Sequence, residues 1–339
     1  MPEKGILELK IFLEKPRKIF LASHRNPDGD ALGSTLAFYH YLSQNGHEVS
    51  MAFPSEFPPI YSWMPGSDKI LIYDRQSEEI NKCIANAELF IFVDANNLSR
   101  IDKMGLEMQK YETPLFLVDH HLDPDLTSLY YYAFPGESSA CDLVFDVLTE
   151  WEQKKYIENI DIATCLYTGI LTDTGTFSYN TSPKLFEKLS RLMLAPFNHI
   201  EIQNKINNAL PEKNLRLLGY CLYHRLEIIP EYRAGIIFLT KSDFEKFNIQ
   251  RGDAEGIVNY ILKINNIDIA VLFTQQPTIT KISFRSLGDY NVEEIAKNYF
   301  NGGGHKNASG GSHFKGLKSA ITLFKEHLPE FFNKYKTIN

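Results

Sequence analysis

No stretch of this 339-residue chain is an unbroken apolar run of the roughly eighteen residues that a membrane span needs. Its first residues, Met1-Pro2-Glu3-Lys4, open on charge and not on the apolar core of a signal peptide. Cysteine is scarce: Cys83, Cys141, Cys165 and Cys221 lie far apart and form no CxxC pair. That excludes a disulfide scaffold and a zinc ribbon, and it points to a reduced, cytoplasmic protein. Positive charge is also short. Against 42 Asp+Glu stand 35 Lys+Arg, a net charge of −7, which excludes a large nonspecific nucleic-acid surface.

What the chain does have is core-forming material, 44% hydrophobic and 13% aromatic, enough for two domains of ordinary size. Charge divides unevenly along it. Residues 196–339 carry 18 basic and 14 acidic side chains, a net +4, whereas residues 1–195 carry 17 and 28, a net −11. An acidic half suited to cations is joined to a mildly basic half suited to phosphates.

The richest stretch is Ser23-His24-Arg25-Asn26-Pro27-Asp28-Gly29-Asp30-Ala31-Leu32-Gly33-Ser34. The apolar run Lys18–Ala22 before it reads as a buried strand. Leu32, Leu36, Phe38, Tyr39 and Leu42 after it recur at helical spacing, and Gly46 is a stop signal. Asn26-Pro27 makes a turn and Gly29 permits a tight bend, so His24, Asp28 and Asp30 crowd a strand-to-helix junction. Crowded acids and an imidazole call for a cation, and this ligand mix suits manganese, zinc or iron. Taken by itself, the stretch reads equally as an Asx-capped helix start.

Further along, residues 5–14 read as an amphipathic helix and Val49–Phe53 as a strand, while residues 54–68, rich in proline, read as a loop. Leu89–Val93 is an apolar strand ending on Asp94, and Leu115–Val118 is another, ending on Asp119-His120-His121. Fully apolar strands fit a parallel sheet covered on both faces. Residues 138–150 and 159–172 read as helices, the second running into Asp173. Phe177-Ser178-Tyr179 reads as a short extended piece, residues 183–194 as a helix, and 199–222 as connecting helices. Strand after strand ends on acid or histidine, and in open parallel sheets ligands sit beyond the carboxyl ends of the strands. The second half alternates strands (226–229, 234–239, 268–274, 280–285) with helices (252–264, 291–300, 316–333).

In this order, His24-x-x-x-Asp28-x-Asp30, Asp94, Asp119-His120-His121 and Asp173 resemble the motifs of the DHH phosphoesterase superfamily. Gly302-Gly303-Gly304-His305-Lys306-Asn307-Ala308-Ser309-Gly310 resembles the glycine-rich motif of its associated DHHA1 domain. Their pairing at this length is similar to the NrnA-type bifunctional oligoribonuclease and pAp (3′-phosphoadenosine-5′-phosphate) phosphatase branch. The resemblance implies an α/β fold. Residues 1–195 would be a DHH metal-binding catalytic domain, a mostly parallel sheet flanked by helices. Residues 196–339 would be a linker and a smaller DHHA1 substrate-binding domain with a mixed sheet, with a cleft between the two.

It implies two divalent ions, Mn²⁺, one held by His24, Asp28 and Asp94 and the other by Asp30, Asp94, His120 and Asp173, with Asp94 bridging. Four carboxylates and two imidazoles leave such a site near neutral, and paired cations lower the pKa of water for in-line attack on phosphorus. Asp119 would orient a ligating histidine or serve structure alone. His121 would face the scissile phosphate as proton donor or electrostatic stabiliser. Arg100 would grip phosphate with its planar fork, or be an ordinary surface arginine. His40 and His47 read as ordinary histidines, and the role of Asn96-Asn97 stays open.

In the second half, Arg285-Ser286 at a strand end and the loop with Gly302, Gly303, Gly304, His305, Lys306, Ala308 and Ser309 would clamp the substrate. Ser309 stands where the branch often has alanine. The implied substrates are short RNA oligonucleotides, including pApA-type dinucleotides, and pAp; no membrane is involved, and a homodimer is compatible. The alternatives are a pyrophosphatase or exopolyphosphatase of the same superfamily, or a nucleotide-binding sensor without turnover.

Overall fold

The structure is a computed structural model and describes residues 3–125, 127–152, 159–208, 211–250 and 252–336. The chain forms two compact units, Met1–Ala209 and Leu210–Asn339. Among the described residues no helix is long and apolar enough to cross a membrane.

The first unit runs β1 (Glu3–Lys4), α1 (Ile6–Phe12), β2 (Lys18–Ala22), α2 (Gly29–Gln44), β3 (Glu48–Phe53), β4 (Leu71–Ile72), α3 (Tyr73–Asn86) and β5 (Leu89–Val93). It continues with α4 (Asp102–Met108), β6 (Leu115–Asp119), β7 (Tyr130–Ala133), α5 (Ala140–Glu152), α6 (Ile160–Asp173), α7 (Pro183–Leu192) and α8 (His199–Asn207). The seven strands lie in the order β1-β7-β6-β5-β2-β3-β4, all parallel except β1. Alternate residues of each strand serve opposite layers. Ile19, Leu21, Leu89, Ile91 and Val93 pack with α2, α5 and α6, whereas Phe20, Phe90 and Phe92 pack with Ile80 and Ile84 of α3 and Met104 of α4. That two-sided burial is why β2 and β5 read as unbroken apolar runs.

Elements without such a run escaped the sequence reading. In α3 only Ile80 and Ile84 are buried, and β7 is Tyr-Tyr-Tyr-Ala with one buried residue. Phe177-Ser178-Tyr179, expected to be extended, instead belongs with residues 174–176 to a chain of turns. These residues turn with left-handed φ at Gly175, Thr176 and Phe177 (54°, 58°, 61°), tied by Thr176 N–H to the Leu171 carbonyl at 2.8 Å. Phe177 anchors the turn between the rings of Tyr167 and Phe186, 6.1 Å from each. The boundary expected at 195/196 falls just before α8, which packs on α6 through buried Ile202 and a Gln203 to Tyr167 hydroxyl bond of 2.8 Å.

The second unit runs α9 (Glu212–Tyr220), a π-helical turn (Cys221–Arg225), β8 (Leu226–Ile229), β9 (Ala234–Leu239), α10 (Lys241–Phe247), α11 (Ile257–Ile261), β10 (Ile269–Gln275), β11 (Thr280–Ser286), α12 (Val292–Tyr299), β12 (Gly303–His305), β13 (Ala308–His313) and α13 (Leu317–Lys336). Its sheet, β12-β13-β11-β10-β9-β8, is mixed: β9 and β10 pair in parallel and the rest antiparallel. The mixed α/β architecture expected for each unit is therefore present. The helix expected over 252–264 shortens to α11, because Gly252 and Gly256 adopt left-handed φ (94° and 79°) and turn the chain before it; Arg251 lies outside the described residues. The glycine-rich stretch is not a loop but a hairpin, β12 and β13 pairing from Gly303↔Gly310 to His305↔Ala308.

A candidate metal centre at the strand ends

Strand order reverses between β2 and β5. Strands β3 and β4 continue on one side of β2, while β5, β6 and β7 lie on the other. At such a switch point the following loops part and open a crevice. His24 leaves β2 into it, Asp94 leaves β5, and Asp119-His120-His121 close β6. Asp28 caps α2, its Oδ1 accepting the N–H groups of Asp30 (3.0 Å) and Ala31 (3.1 Å). Asp94 has φ of 55°, a left-handed conformation that a short polar residue tolerates, and its N–H still donates to the Val118 carbonyl at 3.0 Å.

Asp94 stands between two imidazoles. Its Oδ2 is 3.2 Å from His24 Nε2, and its Oδ1 is 3.4 Å from His120 Nε2. His120 Nε2 also lies 3.8 Å from Asp30 Oδ2 and 3.6 Å from Asp173 Oδ2. Within this unit three sets of groups, His24/Asp28/Asp94, Asp30/Asp94/His120 and Asp94/Asp119/His121, each offer ligand atoms within 4.8 Å of one another. The six side chains expected to hold metal are thus brought together from four separate segments.

The ring orientations make this donor set fit cations. His24 Nδ1 donates to the Arg25 carbonyl at 2.9 Å, and His120 Nδ1 donates to the Glu137 carbonyl at 3.1 Å. With Nδ1–H spent on a carbonyl, a neutral ring turns its Nε2 lone pair toward the carboxylates. Two acceptors face one another stably only with a proton or a metal ion between them.

The electrostatics agree. Burial opposes charge on His24, but the hydrogen bond to Asp94 and its charge outweigh this and raise the ring to about 9. His120 is likewise held well above its usual range, against its burial, by Asp94, Asp173 and Asp30. Burial, followed by the charge of Asp94, pushes Asp30 up to about 7, and burial with neighbouring acids pushes Asp173 well up. Asp94 itself, despite burial, is held well below the carboxylate range by hydrogen bonds from His120 and His24. Without metal, protons stand where cationic charge is needed.

Asp30 shows what the sequence reading missed. Its carboxylate accepts the N–H groups of Ala140 (2.6 Å) and Cys141 (2.9 Å), from the first turn of α5, some 110 residues away. A helix N-terminus favours an anion there. That turn is secured by Ser139 Oγ, which accepts the Asp142 N–H at 3.0 Å, and by Ser138, which donates to Asp142 at 2.8 Å; buried Lys188 pairs with Asp142. Ser138-Ser139-x-x-Asp142 is a helix-start signal that could have pointed here. Close packing sets the distance: a Cβ at Gly33 would stand 2.6 Å from the Cys165 carbonyl oxygen, and one at Gly169 would stand 3.0 Å from Asp30 Oδ1.

Asp119 is fully buried and its Oδ1 accepts from His121 Nδ1 at 2.8 Å, while its Oδ2 has no hydrogen-bond partner among the described residues. It therefore orients His121 and not His120. Arg100 is close enough to His24 for its charge to oppose protonation of that ring, and no carboxylate among the described residues pairs with it. Its loop is tied to the His24 loop, since the Arg25 N–H donates to the Arg100 carbonyl at 3.0 Å and the Arg25 guanidinium binds Asp74 (2.8 Å twice) and Asp102.

In the second unit, Arg285 sits in β11 with Nη1 donating to the Phe284 carbonyl at 2.8 Å. Ser286 is buried; it donates to the Tyr290 carbonyl (2.6 Å) and accepts from Asn307 (2.9 Å). Ser309, also buried, donates to the His305 carbonyl at 2.7 Å, and Lys306 pairs with Asp289 at 2.8 Å. His305 and Ala308 face each other across the hairpin. Gly302 has no room for a side chain, its Cβ falling 2.7 Å from Gly311 Cα, and Gly304 has φ of 142°. Gly303 is unconstrained, with nothing within 4 Å.

Known proteins are similar to this chain. The chain matches the DHH family, N-terminal domain, over residues 18–170 and the DHHA1 domain over residues 234–335. A Bacillus subtilis protein named bifunctional oligoribonuclease and PAP phosphatase NrnA is 27% identical over 318 residues, covering 91% of this chain and 95% of that one. A Streptococcus mutans protein named probable bifunctional oligoribonuclease and PAP phosphatase NrnA is 29% identical over 300 residues, covering 87% and 89%. Among solved structures, an exopolyphosphatase-related protein from Bacteroides fragilis is 35% identical with a TM-score of 0.93, covering 98% of this chain and 97% of that one. This chain belongs to the DHH family, a DHH-family phosphoesterase whose DHH N-terminal domain is followed by a DHHA1 domain.

Proposed function

We propose that this protein is a two-metal, Mn²⁺-dependent hydrolase of the cytoplasm that cuts short oligoribonucleotides, pApA-type dinucleotides included, to mononucleotides and pAp to AMP and phosphate. The observation that carries this is Asp94, one carboxylate facing the inward Nε2 atoms of His24 and His120. The named activities of the Bacillus subtilis and Streptococcus mutans relatives support the choice of substrate.

His24, Asp28 and Asp94 would hold one ion, and Asp30, Asp94, His120 and Asp173 the other. When bound, the ions supply a water of lowered pKa and neutralise charge at phosphorus. Asp94 presents a different oxygen to each side, which suits it to serve both. Asp119 fixes the Nδ1–H of His121, so the ring's Nε2 holds or delivers a proton at the phosphate. Arg100 offers its fork to a phosphate oxygen. The division of labour is a metal-binding domain over residues 1–195 and a linker with a substrate-binding domain over 196–339. There Arg285, His305, Lys306 and the backbone of Gly302–Gly304 and Ala308 bind the substrate end, while Ser286 and Ser309 hold the hairpin in shape.

The test is a substrate panel on metal-stripped and Mn²⁺-reloaded protein: pAp, pApA, a pentaribonucleotide and pyrophosphate. Mononucleotide release from RNA and phosphate release from pAp, both lost in Asp94→Ala, are expected. No release from either nucleotide substrate refutes the proposal. The exopolyphosphatase-related Bacteroides fragilis structure favours a second reading, hydrolysis of pyrophosphate or polyphosphate, which turnover of pyrophosphate alone would establish.

A further inference from the structure

Strand β11 alternates sharply. Ile282 and Phe284 enter the core beneath α12 and α13, so Lys281, Ser283 and Arg285 stand on the opposite face. On β10 and β9 that opposite face is covered, since Ala270, Leu272 and Ile237 pack with Ile257, Val258 and Ile261 of α11. On the outer strands the residues across from it are small. Lys281 pairs with Ser312, Ser283 with Gly310, Arg285 with Ala308, and Gly310 in turn with Gly303. A Cβ at Gly310 would meet only the Ile282 carbonyl oxygen, at 3.8 Å, and one at Gly303 nothing within 4 Å. The result is a bare strip of backbone with a cation on either side of its middle row.

Lys281 is exposed and makes no ion pair among the described residues. It is four residues from Arg285 on the same face, with Ser283 between them, a separation of about 13 Å. That is near twice the spacing of neighbouring phosphates along an extended single strand. Arg285 is tethered through its Nη1, as suits a fixed contact, whereas a lysine ammonium is a mobile point charge able to follow a flexible chain.

Building on the function proposed above, we infer that Lys281 is a length-specificity residue: it binds the phosphate two nucleotides beyond the terminal one served by Arg285. pAp and a 5′-phosphorylated dinucleotide carry two phosphates each, so neither has a third to offer. A trinucleotide or a pentanucleotide does, and gains a charge-assisted contact along the glycine strip.

The experiment compares wild type, Lys281→Ala and Lys281→Arg on pAp and on 5′-phosphorylated di-, tri- and pentaribonucleotides. Steady-state hydrolysis is measured with Mn²⁺, and equilibrium binding of the labelled RNAs is measured on metal-stripped protein. Lys281→Ala should raise KM and Kd for the tri- and pentanucleotide about tenfold. It should leave kcat unchanged, leave pAp and the dinucleotide unaffected, and lower the salt slope for the pentanucleotide by about one. Lys281→Arg should restore the longer substrates. An equal change at all lengths, or none at any, overturns the assignment. Should wild type hydrolyse no RNA, the proposed function falls, and the length dependence of binding still decides the role of Lys281.

Discussion

Adding one methyl group at Gly169 tests how the fold places Asp30. Gly169 lies in α6 where it meets α2 and α5, and its Cβ would collide with Cys141 Sγ while standing 3.1 Å from Cys141 Cβ and 3.0 Å from Asp30 Oδ1. Cys141 and Asp30 are buried and joined by the Cys141 N–H to Asp30 bond, so neither can yield alone. Two effects oppose. Alanine is favoured over glycine in a helix interior by about 1 kcal/mol, whereas overpacking a tight contact costs about 1–3 kcal/mol and more if backbone must move. The net is a loss of up to about 2 kcal/mol, which lowers Tm by up to about 8 °C for a unit of this size, and more if backbone must move. Gly219 in α9 is the control, with nothing within 4 Å of its Cβ; there the same exchange should raise stability slightly. Displacing Asp30 should also shrink the rise in Tm expected on adding Mn²⁺ under the proposed function, and Cys141→Ala in the Gly169→Ala background should recover part of both losses. Thermal unfolding with and without Mn²⁺ reads all of this. If Gly169→Ala unfolds no lower than wild type and keeps the full Mn²⁺ response, the contact of α2, α5 and α6 does not set Asp30.

Asp94→Asn should abolish hydrolysis and the Mn²⁺-induced rise in Tm together; a variant that keeps either one contradicts the central place given to Asp94. In the metal-free protein Asp30 and His24, raised to about 7 and about 9, both hold protons more tightly than in the unfolded chain. Their contribution is therefore greatest at low pH and is lost as pH rises through those values, so chelated protein should lose Tm from about pH 5 to about pH 9, and Mn²⁺ should reverse the loss. Rising Tm over that range would refute the assignment. Arg100→Ala should lower kcat/KM at least about tenfold with no change in Tm, Arg100→Lys less so. Asp243, buried and held below the carboxylate range by Arg225, Thr240 and Tyr220 even against its burial, should cost about 3 kcal/mol when changed to alanine, by denaturant unfolding.

The legible part of the site was local. His24, Asp28 and Asp30 share one strand-to-helix turn, and Asp94 and His120 each end or follow an apolar run, so strand polarity alone aims them at one edge of a parallel sheet. The apolar runs themselves were plain because β2, β5 and β6 are covered on both faces. Short elements such as β7 were not, since one buried residue leaves no pattern. The glycine-rich stretch looked like a loop because glycine signals turns, yet cross-strand pairing with β11 makes β13 a strand.

Residue order by itself determined which groups could become ligands and at which strand end each would lie, because alternation and turn chemistry act over a few residues. Only tertiary structure decided how those groups meet. The N–H groups of Ala140 and Cys141 reach Asp30 because glycine lets α6 close on α2 and α5. Carbonyls of Arg25 and Glu137 turn the two imidazoles inward. These are contacts of hydrogen-bond range, most of them between segments distant in the chain, and no local pattern encodes a distance of that kind.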